Sequence, residues 1–429
     1  MRRRLFGAAA TSAALGLLFS LSGCGSSSGD GDDATLKLVA AEYGTTPETS
    51  SKTFWDKATD EFTAQHPGIK VEVKLLPWAD IDREVSRMVK AGKAPDVALM
   101  GSYSDFAADG KIYAAEDLLS VRAEANFLQP LAEAGSIGNT LYGLPFVASS
   151  RLLFYNEALF TKAKVTPPTT WKALKEAAEA LKAKGVKFPY ALPLGPEEAH
   201  AEALIWELSN GGGYVDTSGN YALASDQNVA TFDWIKDNLV APGLVGPVQP
   251  GKLNRQDAFD AFLRGEVGML NGYPSLYHQA RAKGIPVKTI AMPVNEGLGP
   301  TETPPAVGVA DWMVAFNQND HKQQIGKFLD FIYQDKHLTE FANQYHLLPS
   351  TVTATRSHEA GGGTGIDAND QAFLAALRGA QLYPVNNPNW VTISDTIKRN
   401  IGRAVEPAAD PKTVLEDIAN KSRDESKKS

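Results

Sequence analysis

The sequence predicts an α/β protein of open sheets with helices on both faces. Short apolar runs alternate with amphipathic helical patterns, and Gly and Pro punctuate the junctions between them. Leu36 to Ala41 reads as the first strand. Phe54, Ala58 and Phe62 recur at i, i+4 and i+8 as a helix face that His66-Pro67-Gly68 stops, and Ile69 to Leu75 alternates apolar and charged residues as a second strand. Val85, Met88 and Val89 mark the next helix, Gly92 ends it, and Val97-Ala98-Leu99-Met100 is a buried parallel strand. Ligands of such sheets bind past the carboxyl ends of strands, which directs attention to Tyr43-Gly44 and Gly101-Ser102-Tyr103. Trp171, Leu174, Ala178 and Leu181 form a later helix face, begun at Pro167-Pro168-Thr169-Thr170 and ended by Gly185. Another helix runs through Ala203, Leu204, Trp206 and Leu208 and breaks at Asn210-Gly211-Gly212-Gly213, where bare amides suit either close approach of a ligand or a flexible turn.

The amino terminus places the chain. Arg2-Arg3-Arg4, an apolar stretch from Leu5 to Leu21 and small residues before Cys24, the only cysteine, read as a lipoprotein signal over residues 1–23 with Cys24 as the lipidated new terminus. The stretch is short for a membrane span and is diluted by Thr11, Ser12 and Ser20. The arginines resemble a twin-arginine export signal no more than any basic start does. Residues 24–34, rich in Gly, Ser and Asp, read as a disordered tether. The expected location is the extracytoplasmic face of the cell membrane. Taking the 23-residue leader and its three arginines from 429 residues and a charge of -8 leaves 406 residues carrying -11, enough for two domains and a poor match to nucleic acid. With its cysteine lipidated the chain would hold no disulfide.

Catalytic patterns are absent. The seven histidines form no His-x-x-x-His pair or Cys/His cluster, so no metal or other cofactor is expected. No Gly-x-Ser-x-Gly elbow occurs. Gly246 to Lys252 imitates a P-loop, but Leu253 stands where a magnesium-binding hydroxyl belongs, and Gly361 to Gly365 misses the dinucleotide spacing. Tyr43, Trp78, Tyr103, Tyr273, Trp312, Tyr383 and Trp390 do recur near loop and strand ends. Aromatic faces stack on the C–H faces of sugar rings, while Asp, Asn, Glu and Arg bond the hydroxyl rims.

Five segments then carry a resemblance: Gly92-Lys93-Ala94-Pro95-Asp96-Val97; Tyr142-Gly143-Leu144-Pro145 with Leu153-Phe154-Tyr155-Asn156; Pro168-Thr169-Thr170-Trp171; Ala261 through Gly272; and Gly308-Val309-Ala310-Asp311-Trp312. In that order they resemble family 1 extracellular solute-binding proteins of ABC importers, the maltodextrin-binding type. The resemblance implies a two-lobe periplasmic-binding-protein-like fold (type II), with lobe 1 over 35–148 and 291–347 and lobe 2 over 149–290 and 348–429. The hinge would be crossed near Phe146 to Ser150, Pro286 to Met292 and Tyr345 to Ser350. Ligand would meet Tyr43, Trp78, Ser102, Tyr103, Asp311 and Trp312 on the first lobe, and Glu202, Asn210, Gly211, Asn271, Gly272, Tyr273 and Trp390 on the second, with Ser149 and Arg151 at the crossing. Ser149 stands where a carboxylate often does, and Tyr273-Pro274 reverses the usual Pro-aromatic order.

The expected protein is therefore a monomeric, non-enzymatic lipoprotein that captures a mono- or oligosaccharide and delivers it to ABC permease subunits. A glycerophosphodiester or other anionic solute is the alternative, for which Arg151 and the Gly211 to Gly213 turn are the hints. A secreted glycosidase, needing only two suitably spaced carboxylates, is the third reading.

Overall fold

The computed structural model describes residues 33–426 except 45, 79, 299–303 and 360–367, so the leader, Cys24, residues 24–32 of the tether and the Gly361 to Gly365 run lie outside the described residues, while Ala34, expected in the tether, is instead the first residue of a strand paired with Ile69. The first strand, Ala34–Glu42, is apolar and fully buried from Leu38 to Ala41, and pairs in parallel with Ile69–Pro77 on one side and Val97–Met100 on the other. The helix between the first two strands, Lys52–Gln65, buries Phe54, Ala58 and Phe62 as the spacing requires, and also Trp55 and Thr59. Ile81–Lys90 buries Ile81, Val85 and Val89 before Gly92 turns the chain with φ of 67°.

Two sheets result. Seven strands form the first, in the order Leu348–Pro349, Leu144–Ser150, Val307–Ala315, Val97–Met100, Ala34–Glu42 and Ile69–Pro77, with Gln381–Leu382 pairing beside Val307–Gly308. The second runs Val287–Ile290, Leu152–Asn156, Val267–Gly272 and Phe188–Tyr190. Both mix parallel and antiparallel pairs and are open. An aromatic core of Phe54, Trp55, Phe62, Phe146, Phe328 and Phe341 packs against the seven-stranded sheet and its helices.

The chain first passes between sheets at Arg151, between the last residue of one strand and the first of the next. The passage expected near 286–292 is still a strand of the second sheet as far as Ile290, and the chain re-enters the first sheet at Val307. Leu348–Pro349 pair with Val147 and Ala148, and Gln381–Leu382, in the stretch the resemblance gives to the second lobe, return once more to the seven-stranded sheet.

The helix Ala199–Leu208 is buried along its whole length. Its Glu207 is 1% exposed, has an unpartnered carboxyl oxygen, and is pushed by burial from an ordinary 4.5 to about 8. The folded chain then keeps the proton that the unfolded chain releases above pH 4.5. This group's contribution is full below pH 4.5 and is lost as pH rises through 8, at up to about 1.4 kcal/mol per pH unit. Glu207→Gln removes the titration: in urea melts, the variant's stability relative to the parent should climb from pH 5 to pH 8 and then level off. A constant difference would show that Glu207 ionises freely in the folded chain.

Candidate functional site

The carboxyl ends of the parallel strands meet at one junction. Tyr43, Trp78 and Ser102 each follow a strand of the first sheet. Tyr273 follows Val267–Gly272, and the segment after Phe188–Tyr190 leads to Glu198 at the start of the buried helix. Arg151 lies between the sheets, its backbone N–H donating to Val307 O. Its guanidinium is 5% exposed and sits 4.5 Å above the Tyr273 ring.

From Arg151 a row of alternating charges runs into the second sheet. Arg151 donates from Nη1 to Ser149 Oγ at 2.9 Å and from Nη2 to Glu198 Oε1 at 2.5 Å. The other Glu198 oxygen accepts from Arg255 Nε at 3.0 Å, and Arg255 Nη1 donates to Glu202 Oε2 at 2.9 Å and to the Asn271 carbonyl at 2.9 Å. Glu202 Oε1 accepts from Tyr190 hydroxyl, Trp206 Nε1 and Asn271 Nδ2 at 2.8 to 3.1 Å. Burial would raise Glu198, but Arg151 and Arg255 on either side hold it down to about 2.

The first sheet contributes a wall of opposite character. Tyr43 hydroxyl donates to Asp311 Oδ2 at 2.7 Å, and Trp78, 36% exposed, stands edge-on to Tyr43 with ring centroids 5.3 Å apart. Asp82 accepts from Gly101 N–H at 2.9 Å. Burial pushes Asp311 up to about 7 and Asp82 up to about 6, with the Tyr43 hydroxyl and the Gly101 amide pulling the other way. On the second side Tyr383 stacks on Trp390 at 5.6 Å and lies 4.8 Å from the His200 ring, while Trp390 also packs on Tyr214 at 5.8 Å. Five buried polar atoms have no protein partner here: Arg151 Nε, Arg255 Nη2, Asn271 Oδ1, His200 Nδ1 and the Tyr383 hydroxyl. Among the described residues no His/Cys/Asp/Glu group is arranged to hold a metal ion, and no helix is long and apolar enough to cross a membrane.

Of the residues named from sequence, the structure brings Ser149, Arg151 and Tyr273 into direct contact, and Tyr43, Trp78 and Asp311 into a second contacting group. Ser102, 5% exposed, follows the same strand edge. Others are interior. Tyr103 is fully buried, bonded to Ala134 O and packed on Trp312, itself 1% exposed, because Gly143 leaves room for its ring: a Cβ there would come within 2.6 Å of it. Gly272 is closed over by Phe154 and Leu276, and Glu202 and Asn271 are fully buried beneath Arg255. Trp390, 4% exposed, is part of the aromatic stack. Asn210 and Gly211 sit past the far end of the ten-residue helix, about 18 Å along its axis from Glu198, where Asn210 bonds Gln227 O, Thr231 and Asn295. Sequence reading missed Glu198, Arg255, His200 and Asp82. Glu197-Glu198 ahead of an apolar helix was the only local signal.

Comparison with known proteins agrees with this architecture. The chain is 27% identical over 406 residues to a protein of Brucella abortus (strain 2308) designated only as a binding protein, covering 91% of this chain and 93% of that one. It is 24% identical over 392 residues to an uncharacterized lipoprotein of Streptomyces antibioticus, covering 87% and 83%. An sn-glycerol-3-phosphate-binding periplasmic protein of Brucella melitensis is 28% identical over half of each chain. Among solved structures, the maltose-bound T. maritima MalE3 superposes with a TM-score of 0.74 at 19% identity, over 91% of this chain and 99% of that one. A sugar transporter protein of Arthrobacter chlorophenolicus with bound laminaribiose superposes with a TM-score of 0.76 at 17% identity, with the same coverage. These likenesses establish the two-lobe fold of periplasmic binding proteins. Residues 45–337 match the model of the bacterial extracellular solute-binding proteins, and the chain belongs to that family, a family of binding proteins and not of enzymes.

Proposed function

We propose that this chain captures a neutral mono- or oligosaccharide at the junction of its two sheets and delivers it to an ABC import permease, tethered to the outer face of the membrane through Cys24. The observation that carries the reading is the pairing of two unlike surfaces. Tyr43 and Trp78 offer aromatic faces beside the acceptors Asp311 and Asp82, while Arg151, His200 and Tyr383 bring buried polar atoms without protein partners. A sugar has apolar C–H faces for the first and a rim of hydroxyls, each donor and acceptor, for the carboxylates and the unsatisfied atoms. Maltose and laminaribiose are the ligands of two structural neighbours. The sn-glycerol-3-phosphate-binding relative keeps an anionic solute as the competing reading, but it matches only half of the chain. No bond is made or broken: a solute touching both sides favours the closed arrangement by its differential affinity.

Ser102 and Ser149 are proposed as further hydrogen-bonding contacts and Tyr273 as the platform of the second side, with Glu202 and Asn271 acting from behind. Thermal melts of the mature protein with maltose, laminaribiose or sn-glycerol 3-phosphate test the reading, since ligand at 100 times its Kd adds about 2.7 kcal/mol to native stability. A shift with a sugar and none with the phosphate is expected, and the reverse pattern overturns the proposal.

Trp78 and Trp390 should respond differently to truncation. Trp78→Ala, at an exposed position, should weaken sugar binding by about 1 to 3 kcal/mol, roughly five- to 150-fold by analogy with base stacking, while the apo melt barely moves. Trp390→Ala opens the buried stack and should cost about 3 to 5 kcal/mol of stability. Cys24→Ala should release the protein from membranes or leave the precursor uncleaved, and normal processing with retention at the membrane would exclude the anchor.

A further inference from the structure

We propose that Glu198 sets the charge of the solute this site accepts, by cancelling Arg151 and so making the junction a receptor for neutral molecules. The inference rests on the junction being the solute site. An arginine fork exposed to a binding cleft is ordinarily an anion receptor, because its paired N–H groups match the oxygens of a phosphate or carboxylate. Here the fork is already occupied. Nη2 is held by Glu198 at 2.5 Å and Nη1 by Ser149 at 2.9 Å, so only Nε lacks a partner. A phosphate could reach the fork only by displacing a part-buried carboxylate that Arg255 also holds, at 3.0 Å from its second oxygen.

Charge counting makes Glu198 decisive. Arg151, Glu198, Arg255 and Glu202 sum to zero, and Arg255 is matched separately by Glu202 at 2.9 Å. Within this row the charge of Glu198 is therefore what stands between a balanced set and one carrying an excess positive charge at Arg151. The groups facing Arg151 from other elements do not replace it. Asp311 feels the Arg151 charge through space but is bonded to Tyr43, and Asp82 is bonded to the Gly101 amide; neither pairs directly with Arg151 as Glu198 does. His200, held neutral by burial, and the phenols of Tyr273 and Tyr383 bring no negative charge, while Lys398 adds a positive one. One side-chain change should thus convert a neutral-solute site into an anion site, a change of ligand class within one family and one backbone.

The test is calorimetry with sn-glycerol 3-phosphate against glycerol, its uncharged counterpart, on the parent, Glu198→Gln and Glu198→Ala, each first shown to melt cooperatively. The two variants make the same charge change in side chains of different size, so a failure of one to fold leaves the other. The parent should prefer neither probe. The variants should bind sn-glycerol 3-phosphate about tenfold or more tightly than the parent does, with the gain lost at high salt and glycerol unaffected. The gain should vanish in Arg151→Met/Glu198→Gln, which has no excess charge. A folded variant with no gain, or a gain that survives loss of Arg151, overturns the proposal. Sugar binding by the parent is scored separately: its absence beside a gained anion affinity would defeat the sugar reading and leave the role of Glu198 standing.

Discussion

Three charged side chains are taken out of water where the two sheets meet and a fourth, Glu198, is largely so, and the arrangement around them follows from the need to match each one. Desolvating a carboxylate or a guanidinium costs several kcal/mol per ion, and only close partners of opposite sign offset it. The order Arg151, Glu198, Arg255, Glu202 supplies a partner on each side of the two middle members. The ends are closed by neutral groups, Ser149 at one and Tyr190, Trp206 and Asn271 at the other. The row stitches the crossing residue to the start of the buried helix and to the strand Val267–Gly272, so it fixes how the chain leaves the first sheet. Removing one member would leave an uncompensated buried charge, whereas replacing a matched pair would not.

The interior residues beneath the junction serve the same end by different chemistry. Gly143 and Gly272 have no side chain because an aromatic ring occupies the space, Tyr103 in one case and Phe154 in the other. Asp311 lies within the strand Val307–Ala315 and Tyr273 directly follows Val267–Gly272, so both are held by the strands that these rings pack against. Asp311 adjoins an irregularity in the pairing with Leu144–Ser150, a shift of register between Asp311 and Trp312. That shift accompanies the split in which Asp311 reaches Tyr43 while Trp312 is buried against Tyr103.

Local periodicity made the strands and helices of the first sheet readable, since burial on one face imposes spacing on neighbours in sequence. Topology likewise located Tyr43 and Ser102 just past strand ends, because strand ends can be located once strands are. The charge row was not readable: Glu198 is 47 residues from Arg151 and 57 from Arg255, and no local pattern records which of many acidic and basic residues will meet. Aromatic residues failed for a related reason. Trp312 in the core and Trp78 at the surface have the same composition, and only the third dimension separates a packing residue from a platform. Asn210 and Gly211 follow the helix that Glu198 begins but lie past its opposite end, a distinction that depends on which terminus faces the other sheet.

The balance of charge also bears on how binding couples to closure. A site built on a free cation would attract anions in either arrangement of the lobes, because Coulomb attraction acts at a distance and needs no precise fit. Hydrogen bonds and stacking act only in contact, so a neutral solute gains from the second side only when that side is within reach. Tyr43, Trp78 and Asp311 belong to one sheet, Tyr273 and Tyr383 pack with the other side, and Arg151 stands between them. With Arg151 cancelled by Glu198, affinity depends on short-range contacts from both sides, and the free energy of binding becomes tied to the geometry that holds them together.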